Sequence, residues 1–190
     1  MKIGLFGGSF DPIHVGHLMT AQSVIEKRNL DKIIFMPCYI SPHKLDNFYI
    51  EAKHRFNMIK LAIDGTDYFT VSDFEINRPQ ISFTIDTVLE LKKIYQEIEL
   101  IIGYDNLLVF DKWKEPDLLV QNVKLLVMKR KTNDDSTKKN KFFEHAIFID
   151  TPTIEISSTE VRSRIKAGLD AKFMLGEKVQ DYIIKNNLYK

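Results

Sequence analysis

The sequence predicts a doubly wound α/β domain in which helices cover both faces of a parallel sheet. Short apolar segments, each long enough for one buried strand, alternate with amphipathic segments along most of the 190 residues. The strand segments are apolar at consecutive positions, which is typical of strands covered on both faces. Because parallel neighbours need a long crossover, usually a helix, the intervening amphipathic segments complete the prediction.

The elements follow one another in a regular order. Strand segments lie at 3–6, 33–36, 69–71, 100–102, 123–128 and 146–149, and helical rows lie at 18–27, 51–64, 84–96 and 116–121. Residues after 157 lack a strand signal and indicate two or three helices broken at Gly168 and Gly176. We therefore expect a single domain over 1–190, with a sheet core at 1–156 and a helical C-terminal subdomain at 157–190.

Composition excludes several classes of protein. The chain has 27 basic and 26 acidic residues, a formal net charge of +1, which argues against a polybasic nucleic-acid or membrane-surface protein. One cysteine, Cys38, cannot form an internal disulfide or a cysteine-based zinc finger, and we expect it to be a small buried apolar residue. The apolar run at the N-terminus is too short for a signal peptide, and no run is long enough to span a bilayer. We expect a cytoplasmic protein.

The strongest motif is the segment 7–17, GGSFDPIHVGH, which opens where the first strand ends and closes where the first helix begins. Glycines there let the backbone approach a ligand closely, and a helix N-terminus offers free N–H groups to phosphate. Gly16 leaves no side chain between His14 and His17, so both imidazoles could contact one anion.

Other interpretations of this segment are weaker. One alternative is a loop in which the histidines make purely structural hydrogen bonds. A zinc site lacks a nearby carboxylate or thiol at ligand spacing. Gly4, Gly7 and Gly8 do not have the spacing of the dehydrogenase fingerprint, and the phosphate loop G-x-x-x-x-G-K-[ST] does not occur.

A second motif lies at 156–162, ISSTEVR. Ser157 and Glu160 form the S-x-x-E pattern of a capping box, so a helix starts here. Its hydroxyl groups, free N–H groups and Arg162 would suit a polyphosphate. Taken alone, the segment could equally be an ordinary capped helix with a surface arginine.

Together, H-x-G-H at the first strand–helix turn and the later I-S-S-T-x-x-R resemble the nucleotidyltransferase superfamily. The opening GGSFDPIHVGH is similar to its bacterial nicotinate-nucleotide adenylyltransferase branch. Further similar segments follow in order, at 41–44 (SPHK), 78–87 (RPQISFTIDT), 103–106 (GYDN) and 112–113 (KW). The resemblance covers the chain nearly end to end and implies a Rossmann-like sheet of the adenylyltransferase type.

The resemblance implies a reaction of NAD biosynthesis in which ATP and nicotinate mononucleotide give nicotinate adenine dinucleotide and pyrophosphate. The mononucleotide phosphate attacks the α-phosphorus of ATP. Because this nucleophile is already an anion, positioning and electrostatic stabilisation would carry the catalysis. Mg²⁺ would be bound through the substrate phosphates, with few protein ligands.

The resemblance also implies the roles of individual residues. The catalytic residues would be His14, His17 and Arg162. The ATP site would comprise Gly7, Gly8, Ser9, Phe10, His14, His17, Gly103, Asp105, Ile156, Ser157, Ser158 and Arg162. The mononucleotide site would comprise Lys44, Ser82, Thr84, Tyr104 and Trp113.

Within the mononucleotide site, Lys44 would meet the phosphate and Trp113 would stack on the pyridine ring, although as the only tryptophan it could equally lie in the core. Ser82 and Thr84 stand at a helix start that would suit the nicotinate carboxylate. Positive charge would come from local groups, namely the two motif histidines, Lys44, Arg162 and two helix N-termini.

Three residues depart from the family pattern, namely Tyr104, Lys114 and Lys131, and the last two bear on the pocket wall and on the exit of a strand. His54 and Arg55 are interpreted as surface or packing residues, and His43 as a secondary contact. The loop 129–141 is interpreted as a solvated surface loop, with phosphate contact by Lys129 and Arg130 as the alternative.

Other functions stay open on the sequence. The acceptor could be nicotinamide mononucleotide, pantetheine phosphate or FMN, and a cytidylyltransferase is a further relative. A regulatory nucleotide-binding domain without activity would need a broken histidine pair or a missing arginine, and neither occurs. The sequence is compatible with a homo-oligomer but does not define the oligomeric state.

Overall fold

The structure, a computed structural model, describes residues 1–42, 50–129 and 139–190. One parallel six-stranded sheet has the order β3-β2-β1-β4-β5-β6. The strands are β1 (Lys2–Gly8), β2 (Lys32–Pro37), β3 (Phe69–Val71), β4 (Glu97–Gly103), β5 (Lys124–Lys129) and β6 (Ala146–Asp150). The chain runs outward from β1 to one edge and then returns to β4 on the other side of β1. The doubly wound parallel sheet is thereby confirmed, with its switch point between β1 and β4.

Helices cover both faces of the sheet. In the described part of the chain they are α1 (Val15–Arg28), α2 (Ala52–Ala62), α3 (Thr84–Leu91), α4 (Tyr104–Leu108), α5 (Pro116–Asn122), α6 (Ser158–Lys166), α7 (Lys172–Leu175) and α8 (Glu177–Lys185). Successive strand residues point to opposite faces. Leu5 therefore packs in the core beneath α3 and α5, whereas Phe6 packs in the core beneath α1 and α2. None of the helices described is long and apolar enough to cross a membrane.

The C-terminal helices pack on the same core as α1 and α2. Leu175 from α7 and both Val179 and Ile183 from α8 are buried in that cluster. Gly168 and Gly176 interrupt the helices with positive φ angles of 71° and 83°, a backbone conformation that favours glycine. The expected helix breaks are confirmed, while the division of the chain between 156 and 157 stays a prediction.

Two elements differ from the sequence prediction. The helix expected over 84–96 ends at Leu91, and β4 begins at Glu97, three positions before the expected strand at 100–102. Ile94, which lies within the expected helix 84–96, is apolar but 71% exposed. The short helix α4 was not predicted, because five residues give little more than one turn of apolar spacing.

A buried carboxylate joins β1, α1 and β4 at the amino end of the sheet. Glu99 is fully buried and accepts hydrogen bonds from Arg28 Nε at 2.8 Å and Arg28 Nη2 at 2.9 Å. Lys2 Nζ lies 3.1 Å from the same carboxylate. Burial acts to raise the pKa of Glu99, but the hydrogen bonds from Arg28 and Lys2 outweigh it and hold the pKa below its ordinary value of 4.5.

We expect Glu99→Gln to lower the free energy of unfolding by about 2 kcal/mol, because it removes charge-assisted hydrogen bonds at a buried position. The matched control is Glu97→Gln in the same strand, whose partner Lys124 and own side chain are 54% and 56% exposed. Such an exposed pair contributes little to stability. Urea unfolding of the three proteins provides the measurement.

The difference between wild type and Glu99→Gln should depend on pH. Because the folded pKa lies below the unfolded one, the stabilisation is complete above pH 4.5 and disappears as pH falls through the folded pKa. A difference that is the same on both sides of this range, or equal losses in the Glu97→Gln control, would contradict the assignment.

Candidate active site

The candidate site lies at the carboxyl end of β1, beside the switch point of the sheet. β1 ends at Gly8, and α1 begins at Val15 with His14 as its N-cap residue. Residues 9–14 therefore connect the central strand directly to a helix N-terminus. The carboxyl ends of strands at a switch point are where ligands bind in this class of sheet.

The two motif histidines lie one above the other at the start of α1. Their ring centroids are 3.7 Å apart. The backbone N–H of His14 donates to His17 Nδ1 at 3.3 Å, so a neutral His17 carries its proton on Nε2. His14 Nδ1 is buried and has no hydrogen-bond partner among the residues described. A Cβ at Gly16 would lie 3.0 Å from that nitrogen, so glycine leaves space for the imidazole of His14.

Both imidazoles are uncharged in the free protein. Burial lowers the pKa of His14 from 6.5 to about 4. Burial also lowers the pKa of His17 well below 6.5, and the neighbouring His14 adds to that effect. The expectation that this pair supplies positive charge is therefore wrong for the ligand-free chain, because the site is desolvated. Neutral imidazoles still have an N–H donor for phosphate oxygen.

Aromatic side chains provide the desolvation around His17. The ring of Phe10 lies 5.1 Å from that of His17, and the ring of Phe6 lies 6.2 Å from it. Phe10 is 3% exposed and has a positive φ of 47°. A residue other than glycine rarely adopts this backbone conformation unless its surroundings enforce it. Here the ring of Phe10 packs into the core.

The loop after β1 is held by side chains that donate to its carbonyl oxygens. Arg55 Nη1 donates to the Ser9 carbonyl at 2.7 Å, and Arg162 Nη1 donates to the Asp11 carbonyl at 2.7 Å. Ser158 Oγ donates to the Pro12 carbonyl at 2.9 Å. The two sequence motifs are therefore in direct contact, although these partners are separated by 146 or more residues in the chain.

The start of α6 has the capping interaction that the sequence predicts. Ser157 is the N-cap residue, and its Oγ accepts from the backbone N–H of Glu160 at 3.1 Å. Arg162 uses one further N–H group to donate to Thr159 Oγ1 at 3.2 Å. Ile156 is partly buried against the same core as α1.

Arg55 is a residue whose importance the sequence interpretation missed. It is 1% exposed, so of the two interpretations, surface or packing, the structure supports packing. Besides the Ser9 carbonyl, it donates to the carbonyls of Tyr39 at 3.1 Å and Ile50 at 3.2 Å. The available signal was its position three residues after Ala52, on the apolar face of the helix.

Two residues expected at the mononucleotide site, Ser82 and Thr84, lie at the start of α3. Ser82 Oγ accepts from the Tyr39 backbone N–H at 2.9 Å, and Ser82 N–H donates to the Ile40 carbonyl at 2.9 Å. Ser82 thus joins the segment after β2 to the approach of α3. Thr84 is the first residue of α3, and the N-cap residue Phe83 makes no side-chain cap.

Trp113 is half-buried and packs against Phe110, with ring centroids 5.0 Å apart and planes inclined by 32°. Its packing against the core is therefore observed, and its stacking on a pyridine ring stays a prediction. Lys114, which departs from the family pattern, has its Nζ 3.1 Å from both carboxylate oxygens of Asp86. The same nitrogen lies 4.7 Å from the centroid of the Phe83 ring, so Lys114 lies beside the start of α3.

The end of β4 provides the remaining expected residues. Gly103 ends the strand that pairs with β1, and Tyr104 begins α4 with its ring 6.0 Å from that of Phe143. Asp105 is exposed in the first turn of α4. Some expected contacts lie outside the described residues. These are His43, Lys44, Arg130, Lys131 and the side chain of Lys129, whose roles therefore stay predictions.

The carboxylate, imidazole and thiol groups do not form a metal site of their own within the described ranges. No three His, Cys, Asp or Glu side chains there are close enough together to hold a metal ion. Asp11, the acidic residue within the motif loop, is 3% exposed and hydrogen-bonded to Tyr189. The site therefore offers neutral donors and a guanidinium, a set that suits the oxygens of a polyphosphate.

Comparisons with known proteins identify the family of the chain. A family model described as Cytidylyltransferase-like matches residues 5–164. A protein of Hydrogenobaculum sp. named "Probable nicotinate-nucleotide adenylyltransferase" is 43% identical over 190 residues, which cover 100% of this chain and 98% of that protein. A protein of the same name from Caldicellulosiruptor bescii is 39% identical over 196 residues and is covered completely, as is this chain.

Solved structures share the fold. Two structures of the Plasmodium falciparum nicotinic acid mononucleotide adenylyltransferase, one complexed with APC and one with NaAD, superpose with a TM-score of 0.76 at 23% sequence identity. They cover 99% of this chain, which in turn covers 96% and 97% of theirs. The chain belongs to the cytidylyltransferase-like family and, within it, to the bacterial nicotinate-nucleotide adenylyltransferases.

Proposed function

We propose that the chain transfers the adenylyl group of ATP to nicotinate mononucleotide, giving nicotinate adenine dinucleotide and pyrophosphate, a reaction of NAD biosynthesis. The observation that carries the proposal is the direct contact between the two motif segments, made by Arg162 on the Asp11 carbonyl and by Ser158 on the Pro12 carbonyl. This contact brings two helix N-termini to the carboxyl end of β1. Relatives that match the chain over its full length have names that specify this activity.

ATP is proposed to lie with its phosphates between the starts of α1 and α6. The backbone at 7–10 would line the nucleotide, and Gly103, Asp105 and Ile156 would complete that side of the site. Ser157, Ser158 and Arg162 would hold the β- and γ-phosphates. Among the described residues, Arg162 donates to the Asp11 carbonyl and to Thr159 Oγ1, and a guanidinium has five N–H groups, so others can donate to phosphate oxygen.

His14 and His17 are proposed to stabilise charge as the reaction proceeds. As the mononucleotide phosphate attacks the α-phosphorus, negative charge develops on the phosphate oxygens and on the leaving pyrophosphate. The orphan Nδ1 of His14 and the Nε2–H of His17 provide polar groups in a water-poor site, where hydrogen bonds to charge are strong. No general base is needed, because the nucleophile is already ionised.

Mg²⁺ is proposed as a cofactor that would be held by the substrate phosphates and would neutralise part of their charge. The donor set of the chain fits this arrangement, because it has hydrogen-bond donors where the phosphates would lie. Its own residues would orient the phosphates around the ion rather than bind the ion.

The acceptor is proposed to bind between the start of α3 and Trp113. The first N–H groups of α3, from Thr84 onward, have no side-chain cap and would suit the nicotinate carboxylate. Trp113 would offer its face to the pyridine ring while Phe110 supports it from the core. Tyr104 and Lys44 are the other proposed contacts, and Ser82 ties this region to the segment after β2.

ATP and the mononucleotide are the proposed partners, with no nucleic acid and no membrane. Location in the cytoplasm remains an expectation from composition. A homo-oligomer is also compatible with the sequence. Nicotinamide mononucleotide, pantetheine phosphate and FMN are the alternative acceptors.

Release of pyrophosphate from ATP tests the proposal when each acceptor is offered separately. We expect turnover with nicotinate mononucleotide and much less with nicotinamide mononucleotide, pantetheine phosphate or FMN. Turnover with pantetheine phosphate or FMN but with neither pyridine mononucleotide would assign another acceptor. ATP binding without release for any acceptor would indicate an inactive nucleotide-binding domain.

His17→Ala should reduce kcat by about a hundredfold or more and change ATP affinity much less, because the imidazole acts mainly in the transition state. Steady-state rates and calorimetric ATP binding provide the two measurements. His145→Ala is the matched control, since His145 is exposed and lies outside both motifs. Equal losses of turnover and ATP affinity would count against this role of His17.

Trp113→Ala should raise the KM for the mononucleotide about tenfold, because it removes the proposed stacking surface. Trp113→Phe should retain most of the affinity, since a smaller ring still packs on Phe110. Initial rates at varied concentrations of each substrate distinguish the outcomes. A change in the KM for ATP alone would refute the assignment.

A further inference from the structure

The end of the chain contacts the motif loop. The hydroxyl of Tyr189 donates to Asp11 Oδ1 at 2.6 Å, across a sequence separation of 178 residues. Tyr189 is partly buried against the same core as α1 and α8. The penultimate residue of the chain therefore lies next to the loop that connects β1 to the histidine pair.

The backbone near Tyr189 adopts conformations that residues other than glycine rarely take. Asn187 and Tyr189 have positive φ angles of 51° and 64°. Leu188 between them is only 8% exposed and packs into the core. A positive φ at an aromatic residue costs free energy, so the surrounding contacts must maintain it. The burial of Leu188 and the hydrogen bond of Tyr189 are among these contacts, as is the hydrogen bond from the Leu188 N–H to the Ile183 carbonyl at 3.1 Å.

Two of the hydrogen bonds of Asp11 link the C-terminal segment to Arg162. Its carboxylate accepts from Tyr189, and its backbone carbonyl accepts from Arg162 Nη1 at 2.7 Å. The residue is 3% exposed, and burial raises the pKa of its carboxyl, an effect that the hydrogen bond from Tyr189 opposes. A buried carboxylate requires hydrogen-bond donors, so the tyrosine hydroxyl stabilises the side chain in this position.

We propose that Tyr189 is a positioning residue for the ATP phosphate site: its hydroxyl holds Asp11, and the Asp11 carbonyl in turn holds the guanidinium of Arg162. This inference rests on the proposed function, in which Arg162 binds the phosphates of ATP. Small displacements of a phosphate-binding guanidinium reduce turnover strongly, because phosphoryl-type transfer depends on alignment. The C-terminal segment thus contributes to the site without touching substrate.

Tyr189→Phe tests the role of the hydroxyl while the ring is retained. Its kcat/KM for ATP should fall about tenfold, and the KM for nicotinate mononucleotide should stay within about twofold. Tyr182→Phe is the matched control. Its hydroxyl hydrogen-bonds to His54 Nδ1 and Asn57 Nδ2, each at 2.9 Å, so it joins α8 to α2 away from the motif loop. We expect no change in either parameter for this control.

A double-mutant cycle tests whether Tyr189 acts through Arg162. In an Arg162→Lys background, Tyr189→Phe should cause little additional loss, because the group that it positions has already been replaced. Full additivity of the two losses would overturn the inference. So would wild-type kinetics of Tyr189→Phe, or an equal effect of both tyrosine variants on both KM values, which would indicate a general structural role. Thermal unfolding of all variants accompanies the kinetics.

The failure of this inference is distinguishable from failure of the proposed function. Should the wild type bind ATP without turnover on any acceptor, the proposed function fails, and calorimetric ATP affinity becomes the readout. Tyr189→Phe should then weaken ATP binding while Tyr182→Phe does not. Equal ATP affinities of the two variants and wild type, or the absence of ATP binding by the wild type, would overturn the inference.

Discussion

The site depends on hydrogen bonds to the carbonyl oxygens of the loop after β1. Arg55 holds the Ser9 carbonyl, and Arg162 and Ser158 hold the carbonyls of Asp11 and Pro12. Backbone polar groups that leave water must find partners, and here side chains of α2 and α6 supply them. These donors come from distant parts of the chain, so the contacts that hold the loop are tertiary ones. The histidine pair at the start of α1 is placed by the same loop.

This construction explains how an almost neutral chain can handle polyanions. The formal net charge is +1, and the two histidines are uncharged in the free protein. Attraction for phosphate would come from helix N-termini, neutral imidazoles and one guanidinium in a water-poor site, where each interaction is stronger than in water. The burial that removes charge from the histidines would also strengthen the proposed hydrogen bonds to a phosphate oxygen.

The sequence predicts the parallel sheet, the loop-to-helix position of His14 and His17, and the Ser157 cap, because each depends on local spacing. Contacts between residues that are distant in the sequence cannot be predicted from local spacing. The carbonyl partners of Arg55 and the low pKa of the histidines arise from tertiary packing, the latter around Phe6 and Phe10. The bond between Tyr189 and Asp11 joins a motif to a residue outside any motif. α4 is too short for periodicity to detect.

ATP phosphate is proposed to meet a desolvated pair of neutral imidazoles, those of His14 and His17. NMR titration of the ring nitrogens and carbons of His14 and His17 in the ligand-free protein measures their protonation. His14 should titrate with a pKa of about 4, and the pKa of His17 should also lie well below 6.5. Titration of either motif histidine at or above 6.5 in the free protein would contradict it.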